Sequence, residues 1–345
     1  MTDSEPALRY LTRAEVIRAA GGLDPVAEVR AALLLHAAGA TTLPEEAYLP
    51  WTTETGAFAR SLALPGALWG DRAAIGLKVI NSSLSNPDRG LPRAQGLTML
   101  FDRDTARPTA LMEAGHLSAL RTSAYTMLSV LTLGRKEPRK VAIIGCGTLG
   151  ESHARLLAPR LPEAWFALYD QAPERLRAMV GTLDGAGIRC RPAESAKRAV
   201  ADADVVVTTT TTTASYLPFD WLSPGALVAH VSLDDVRPDV VRRAGLVVVD
   251  DWPLVRDDDR RLLGRMYRAG TLLGPDGEGF GTPHDTARRV DGTLADVLAG
   301  RRPGRTDPEQ IILSNPFGMG ILDVALAARV AAIARRDGLG VILPV

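Results

Sequence analysis

Cysteine is nearly absent from this chain of 345 residues, with only Cys146 and Cys190 present. Two cysteines so placed build neither a disulfide framework nor a spaced metal site, and the five histidines contain no HExxH-like pair. No bound metal is expected, and a reducing cytoplasm is the expected location. Lysine is also scarce: only Lys78, Lys136, Lys140 and Lys197 occur, so arginine supplies almost all the positive charge. An excess of either sign is missing too, because 40 basic residues face 40 acidic ones. That balance argues against a nucleic-acid or membrane-surface partner. Long apolar runs are lacking: none reaches the roughly 18 residues that would cross a bilayer, and "MTDSEPALRYLTR" has no apolar signal core. What remains is 46% hydrophobic and too long for one ordinary core, so two domains are expected.

The texture of the chain changes twice. Thr12 with Glu15 forms a capping box before "VIRAA", and Asp24-Pro25 reads as an N-cap followed by proline at the first helical position, so two helices are expected to open the protein. From about Ala57 to Met112, short strand-like runs separated by Gly, Pro, Asn and Asp suggest an antiparallel sheet. Ala114 to Gly134 then has helical periodicity and ends at glycine. After the polar linker "RKEPRK", the runs "VAIIG", "WFALYD", "ADVVVTTT", "ALVAHVS" and "LVVVD" alternate with helical stretches. This is the pattern of a parallel sheet covered on both faces. The stretch "NPFGMGILDVALAARVAAIARRDGLG" reads as a long helix after an Asn-Pro turn, returning to the first domain. The expected architecture is α/β: a doubly wound Rossmann domain, 131–315, and a discontinuous α+β domain made of 1–130 and 316–345.

Between the first of those strands and its helix lies Gly145-Cys-Gly147-Thr148-Leu149-Gly150. A strand before and a helix after give this GxGxxG its meaning. Gly145 makes the tight bend, Gly147 lets backbone approach a pyrophosphate, and Gly150 allows close helix packing. The helix N-terminus, opening at Thr148 and Leu149, offers unpaired amides and partial positive charge to phosphates. Asp170 ends the next strand at the spacing of about 20 residues where a carboxylate takes the ribose hydroxyls and repels a 2′-phosphate, favouring NAD over NADP. The bland alternative is a Rossmann turn that has lost its ligand. Cys146 reads as a small turn residue. The run Thr208 to Thr213 reads as strand plus loop, with the hydroxyls of Thr209 and Thr210 as a possible cofactor edge.

Three cations stand out in the first domain. Lys78 interrupts the apolar strand "AAIGLKVIN", where an amine either snorkels to water or meets an anion, and burial would lower its pKa toward useful proton transfer. Arg60 and Arg121 also lie among small and apolar residues. Together the three would suit an amino acid's carboxylate, although a structural salt bridge is the commoner fate of an arginine. Asp234 and Asp235 follow the strand "ALVAHVSL", outside a sheet's carboxyl end. There they would hold a substrate amine, orient a water, or simply cap a helix.

"GLKVIN", "SALRTSA", the glycine turn and "VSLDD" occur in an order that resembles the ornithine cyclodeaminase and mu-crystallin family, over about Leu8 to Leu343. The resemblance implies a Rossmann domain binding NAD(P), a discontinuous domain that binds substrate and dimerises, and therefore a homodimer. It places Arg60, Lys78 and Arg121 on the family's carboxylate-binding and proton-transfer positions, and Asp235, or Asp234 after a one-residue gap, on its catalytic carboxylate. "INSSLSNPDRGLPRAQG", "VVVDDW", "LADVLAGRRPGR" and "IILSNPFGMGILDVALA" are similar to the branch that oxidises N-(2-amino-2-carboxyethyl)-L-glutamate with NAD⁺ to 2-oxoglutarate and L-2,3-diaminopropionate, for siderophores or peptide antibiotics. The rivals are ornithine cyclodeaminase, an imine reductase or amino acid dehydrogenase of the same family, and a non-catalytic NAD(P)-binding protein like the crystallins.

Overall fold

A computed structural model describes residues 7–344. The chain divides into two compact units: Met1–Arg121 with Met319–Val345, and Thr122–Gly318. The first division falls inside the helix Gly115–Leu133, where no break in composition marks it.

The first unit is built on an eight-stranded sheet. Its order runs Val341–Pro344, Ala7–Leu11, Pro108–Glu113, Ala94–Phe101, Ala74–Ser83, Phe58–Leu68, and both Thr41–Thr42 and Ala47–Thr52 pair with Phe58–Leu68. All pairings are antiparallel except that of Ala7–Leu11 with Pro108–Glu113. The capping box forms as expected: Thr12 and Glu15 satisfy each other's backbone at the start of helix Arg13–Ala20. Asp24 caps helix Pro25–Ala37 through Val26 N. The described chain opens, however, with the strand Ala7–Leu11 rather than with these helices. A five-residue strand wedged between two partners far away in sequence leaves no periodic signal of its own.

The C-terminal helix Gly320–Arg336 packs on one sheet face, against both N-terminal helices and the strands Phe58–Leu68 and Ala74–Ser83. Two glycines permit the close approach: a Cβ on Gly66 would stand 2.8 Å from Ile321 N, and one on Gly76 would stand 3.2 Å from the Val324 side chain. Among the described residues of this unit no helix covers the other face, which exposes Leu49 (63%), Trp51 (43%) and Leu97 (41%).

The second unit holds an eight-stranded parallel sheet, ordered Cys190–Pro192, Trp165–Tyr169, Lys140–Ile144, Val205–Thr208, Leu227–His230, Ile312–Asn315, Leu246–Val249, Gly292–Thr293. The central strands are buried on both faces, which explains their continuous apolar runs. Strand order reverses between Lys140–Ile144 and Val205–Thr208, so the crevice at their carboxyl ends is the topological switch point of a doubly wound fold. Of the threonine run, only Thr208 belongs to the strand. Three strands of this sheet lie outside the five apolar runs, Cys190–Pro192, Gly292–Thr293 and Ile312–Asn315. Among the described residues no helix is long and apolar enough to cross a membrane.

Candidate active site

In the first unit, Lys78 is 1% exposed, so it does not snorkel. Its Nζ donates to Asp323 Oδ2 at 2.7 Å and to Ser118 Oγ at 3.4 Å. The same carboxylate accepts from Arg121 Nε at 3.1 Å through its other oxygen. Strand Ala74–Ser83 delivers the lysine, helix Gly115–Leu133 the arginine and helix Gly320–Arg336 the carboxylate. Two buried cations thus share one fully buried anion. Burial pushes the Lys78 ammonium down to about 8, against the opposing pull of Asp323 and with the help of the Arg121 charge. The terminal nitrogens of Arg121 bond no protein acceptor among the described residues, which leaves that side of its fork for a ligand. Asp323 went unnoticed in the sequence reading. Its signal was the counterpart of the one that singled out Lys78: a lone carboxylate in the apolar stretch "GILDVALA".

Arg60 lies on the same sheet face, since it shares the parity of Leu64, which pairs with Lys78. It is half-buried and four residues further along the strand.

In the second unit, the glycine turn sits at the switch point. Gly145 has φ +104°, and a Cβ there would meet Thr209 O at 2.9 Å. A Cβ on Gly150 would meet Gly145 O at 2.1 Å, so turn and helix are in backbone contact. Gly147 is different: it is exposed, and a Cβ would find nothing within 4 Å. Helix Thr148–Leu157 starts there with no side-chain cap, so the amides at Thr148 and Leu149 are left to another acceptor. Asp170 is half-buried; its Oδ2 accepts from Cys146 N at 2.7 Å and its Oδ1 from Ala172 N at 2.9 Å. Each oxygen keeps a lone pair for a ribose hydroxyl. These features fit a dinucleotide: an open approach at Gly147, uncapped amides for phosphate and an oriented carboxylate for ribose. Burial, with the Asp170 charge second, pushes the Cys146 thiol up to about 12, which leaves it inert. Thr209 Oγ1 donates to Gly145 O at 2.9 Å and so braces the turn.

The two neighbouring aspartates are separated by their partners. Asp234 pairs with the Arg265 guanidinium. Asp235 is fully buried, and its Oδ1 accepts from Tyr216 Oη at 2.7 Å and Thr210 Oγ1 at 2.9 Å. Among the described residues its Oδ2 has no partner. Neither aspartate caps a helix: the next one, Pro238–Arg243, begins at Arg237 without a side-chain cap. Burial, reinforced by Asp235, drives the Tyr216 phenol far above its usual range, so it stays a hydrogen-bond donor. Nearby in sequence, His230 Nδ1 bonds Asn315 Oδ1 at 2.7 Å, while its buried Nε2 has no partner among the described residues.

Comparison with known proteins adds the following. The model of the ornithine cyclodeaminase/mu-crystallin family matches residues 10–337. An N-((2S)-2-amino-2-carboxyethyl)-L-glutamate dehydrogenase of Staphylococcus aureus is 31% identical, over 97% of this chain and 97% of its own. Among solved structures, that of CmnK superposes with TM-score 0.89 at 42% identity, covering 99% of this chain and 98% of that one. An archaeal alanine dehydrogenase dimer with bound NAD superposes with TM-score 0.82 at 26% identity, covering 98% and 99%.

Proposed function

The chain belongs to the ornithine cyclodeaminase/mu-crystallin family, and from that premise we propose that it is an NAD-dependent amino acid dehydrogenase cleaving N-(2-amino-2-carboxyethyl)-L-glutamate to 2-oxoglutarate and L-2,3-diaminopropionate. The observation that carries the proposal is the Lys78–Asp323–Arg121 cluster, a cationic pair with a depressed lysine pKa and an arginine fork left open. The match to the Staphylococcus aureus enzyme supports the choice of substrate.

When bound, NAD⁺ supplies the hydride acceptor. In the Rossmann unit, Gly145, Gly147 and the amides of Thr148, Leu149 and Gly150 receive its pyrophosphate, Asp170 takes the adenosine ribose, and Thr209 fixes the turn. In the other unit Arg121 and Arg60 hold substrate carboxylates. Oxidation removes a hydride and a proton from the glutamyl Cα–H and the secondary N–H; water then adds to the imine and the C–N bond breaks. Burial lowers the Lys78 pKa toward neutral pH, which favours its neutral form as the acceptor of that proton. Asp235, with one oxygen unbonded, is the better of the two aspartates for binding an amine or orienting the water. Asp234 is already committed to Arg265. Thr210 and Tyr216 act behind Asp235, as donors that fix its position.

The uncovered sheet face of the first unit, with Leu49, Trp51 and Leu97, is proposed as the contact between two copies; the archaeal relative is a dimer.

Mass spectrometry of incubations with the triacid and with ornithine tests the reading. Expected are equal amounts of NADH, 2-oxoglutarate and diaminopropionate from the first, and no proline from the second. Proline without net NADH would make the protein a cyclodeaminase instead. Fluorescence titration tests the cofactor: NAD⁺ should bind more tightly than NADP⁺, and equal binding would remove Asp170 from its role.

A further inference from the structure

The rung of Lys78 holds one more buried polar group. Thr98 stands directly opposite Lys78 in the register of Ala74–Ser83 with Ala94–Phe101, so the two side chains share a sheet face with their Cβ atoms about 5 Å apart. Thr98 is fully buried, and its Oγ1 has no partner among the described residues. Its neighbour on the other side is Met112, apolar and also fully buried. A hydroxyl so enclosed is costly unless something bonds it.

Lys78 has the complementary shortage. A lysine ammonium carries three N–H donors, of which Asp323 Oδ2 takes one at 2.7 Å and Ser118 Oγ a second at 3.4 Å, and no third acceptor is bonded among the described residues. The route of the side chain brings that third donor toward Thr98. Ala114 N donates to Gly96 O at 3.0 Å, which roots helix Gly115–Leu133 beside the strand of Thr98, so the lysine leans across that strand to reach Ser118. Helix Gly320–Arg336, which brings Asp323, packs on the same strand. A buried donor and a buried acceptor, each short of a partner, thus lie on one rung, and a rotation about the threonine χ1 or the last lysine torsion joins them. The charges acting on Lys78 are Asp323 and Glu46, which favour its ammonium, and Arg121, which opposes it, while Arg60 stands four residues from the rung. The strand of Thr98 adds none, because AQGLTMLF has no ionisable side chain.

We propose that Thr98 is a positioning residue for the reaction, its hydroxyl accepting the N–H that Lys78 gains on taking the substrate proton and so holding the ammonium in place. The neutral amine keeps its two N–H groups for Asp323 and Ser118 and turns its lone pair to the substrate nitrogen. There the substrate N–H bond breaks, its proton bonds to the Nζ lone pair, and the electron pair left on nitrogen becomes the C=N π bond as the Cα hydride departs to NAD⁺. Thr98 takes part only through Lys78. This inference rests on the proposed function for the role of Lys78 as proton acceptor.

Lysine is scarce enough for the test to watch it directly. With only four lysines present, the full chain labelled with ¹³C at lysine Cε gives four signals by NMR, and Lys78→Met identifies its own by the one that disappears. Titrating that signal with pH reads the ammonium without any substrate. Thr98→Val removes the hydroxyl at nearly constant volume and unchanged charge, so the Lys78 midpoint should fall by about 1 pH unit, the value of one hydrogen bond to a charged group. Thr98→Ser keeps the hydroxyl and should restore the parent midpoint. With the triacid and NAD⁺, Thr98→Val should lower kcat by about tenfold and leave KM within about twofold, and Thr98→Ser should recover most of the rate. Near-UV circular dichroism checks that each variant is folded. An unchanged midpoint in Thr98→Val overturns the proposal, as does a serine variant that shifts as far as the valine one, or a kcat that does not fall. A valine variant more stable than the parent to denaturant also overturns it, because the hydroxyl would then be a buried group that nothing bonds. Failure of the broader reading looks different: no NADH from the triacid, with the midpoint shift and its rescue by serine intact, would remove that reaction and leave the bond between Thr98 and Lys78 standing.

Discussion

Lys78 and Asp323 need each other. Removing one partner of a buried ion pair leaves an uncompensated charge, at a cost of about 3–5 kcal/mol, so Asp323→Ala should lower the unfolding free energy by that order in a denaturant titration. The subtler variant is Asp323→Asn. Because burial already holds Lys78 at about 8 and Asp323 is what opposes the fall, the amide should let the lysine pKa drop further. If Lys78 accepts the proton, kcat/KM for oxidation should rise with pH through about 8 in the parent and through a lower pH in Asp323→Asn. A profile with the same midpoint in both would take proton transfer away from Lys78. Lys78→Met should abolish turnover and leave NAD⁺ affinity, read by fluorescence, nearly intact; retained activity would refute the role. At this scale the sequence disclosed half of the arrangement. An amine in an apolar strand is visible by contrast with its neighbours, but its counterion comes from a helix 245 residues away, and nothing local announces that the two meet.

Among the elements, the glycine turn was the most legible, because its requirements are steric and local. Those requirements can be separated by experiment. Gly150→Ala puts a Cβ 2.1 Å from Gly145 O, so backbone has to move, and a loss of about 1–3 kcal/mol in stability is expected. Gly147→Ala meets nothing within 4 Å, so its melting temperature should match the parent while NAD⁺ binding weakens, since the methyl occupies the space left for phosphate. Equal NAD⁺ affinity in Gly147→Ala would contradict the cradle. The strands that went unread show what local pattern leaves out. Ala47–Thr52 contains Pro50 and is mostly exposed, and Ile312–Asn315 is four residues long, inserted between Leu227–His230 and Leu246–Val249. Both exist because a partner strand is waiting, which is a tertiary cause. Asp235 was visible as an acid after a strand, whereas Tyr216 carries no signal and Thr210 suggests a cofactor edge rather than a donor to Asp235, because loop residues carry no periodicity.

For the molecule as a whole, acid should be a weakness with an identifiable origin. His153 is fully buried, donates from Nδ1 to Leu149 O at 2.7 Å and accepts at Nε2 from Thr126 at 3.0 Å, so its neutral form is satisfied. Burial pushes its pKa down to about 4 from an ordinary 6.5. The unfolded chain therefore binds the proton first, and stability contributed by the neutral ring is complete above pH 6.5 and lost as the pH falls toward 4. His153→Gln should flatten that part of the stability profile in denaturant titrations across the window. Assembly is checked separately: Leu97→Arg, on the uncovered sheet face, should convert a dimer to a monomer in sedimentation, and an unchanged mass would move the interface elsewhere. The placement of Asp323 also imposes an order in time. A ribosome delivers Lys78 and Arg121 long before residue 323, so the nascent sheet carries two cations destined for burial whose counterion has not yet been made. The contiguous stretch from Thr122 to Gly318 can fold in the meantime, whereas the first unit has to wait for Gly320–Arg336, the last helix among the described residues, before its two cations have their counterion.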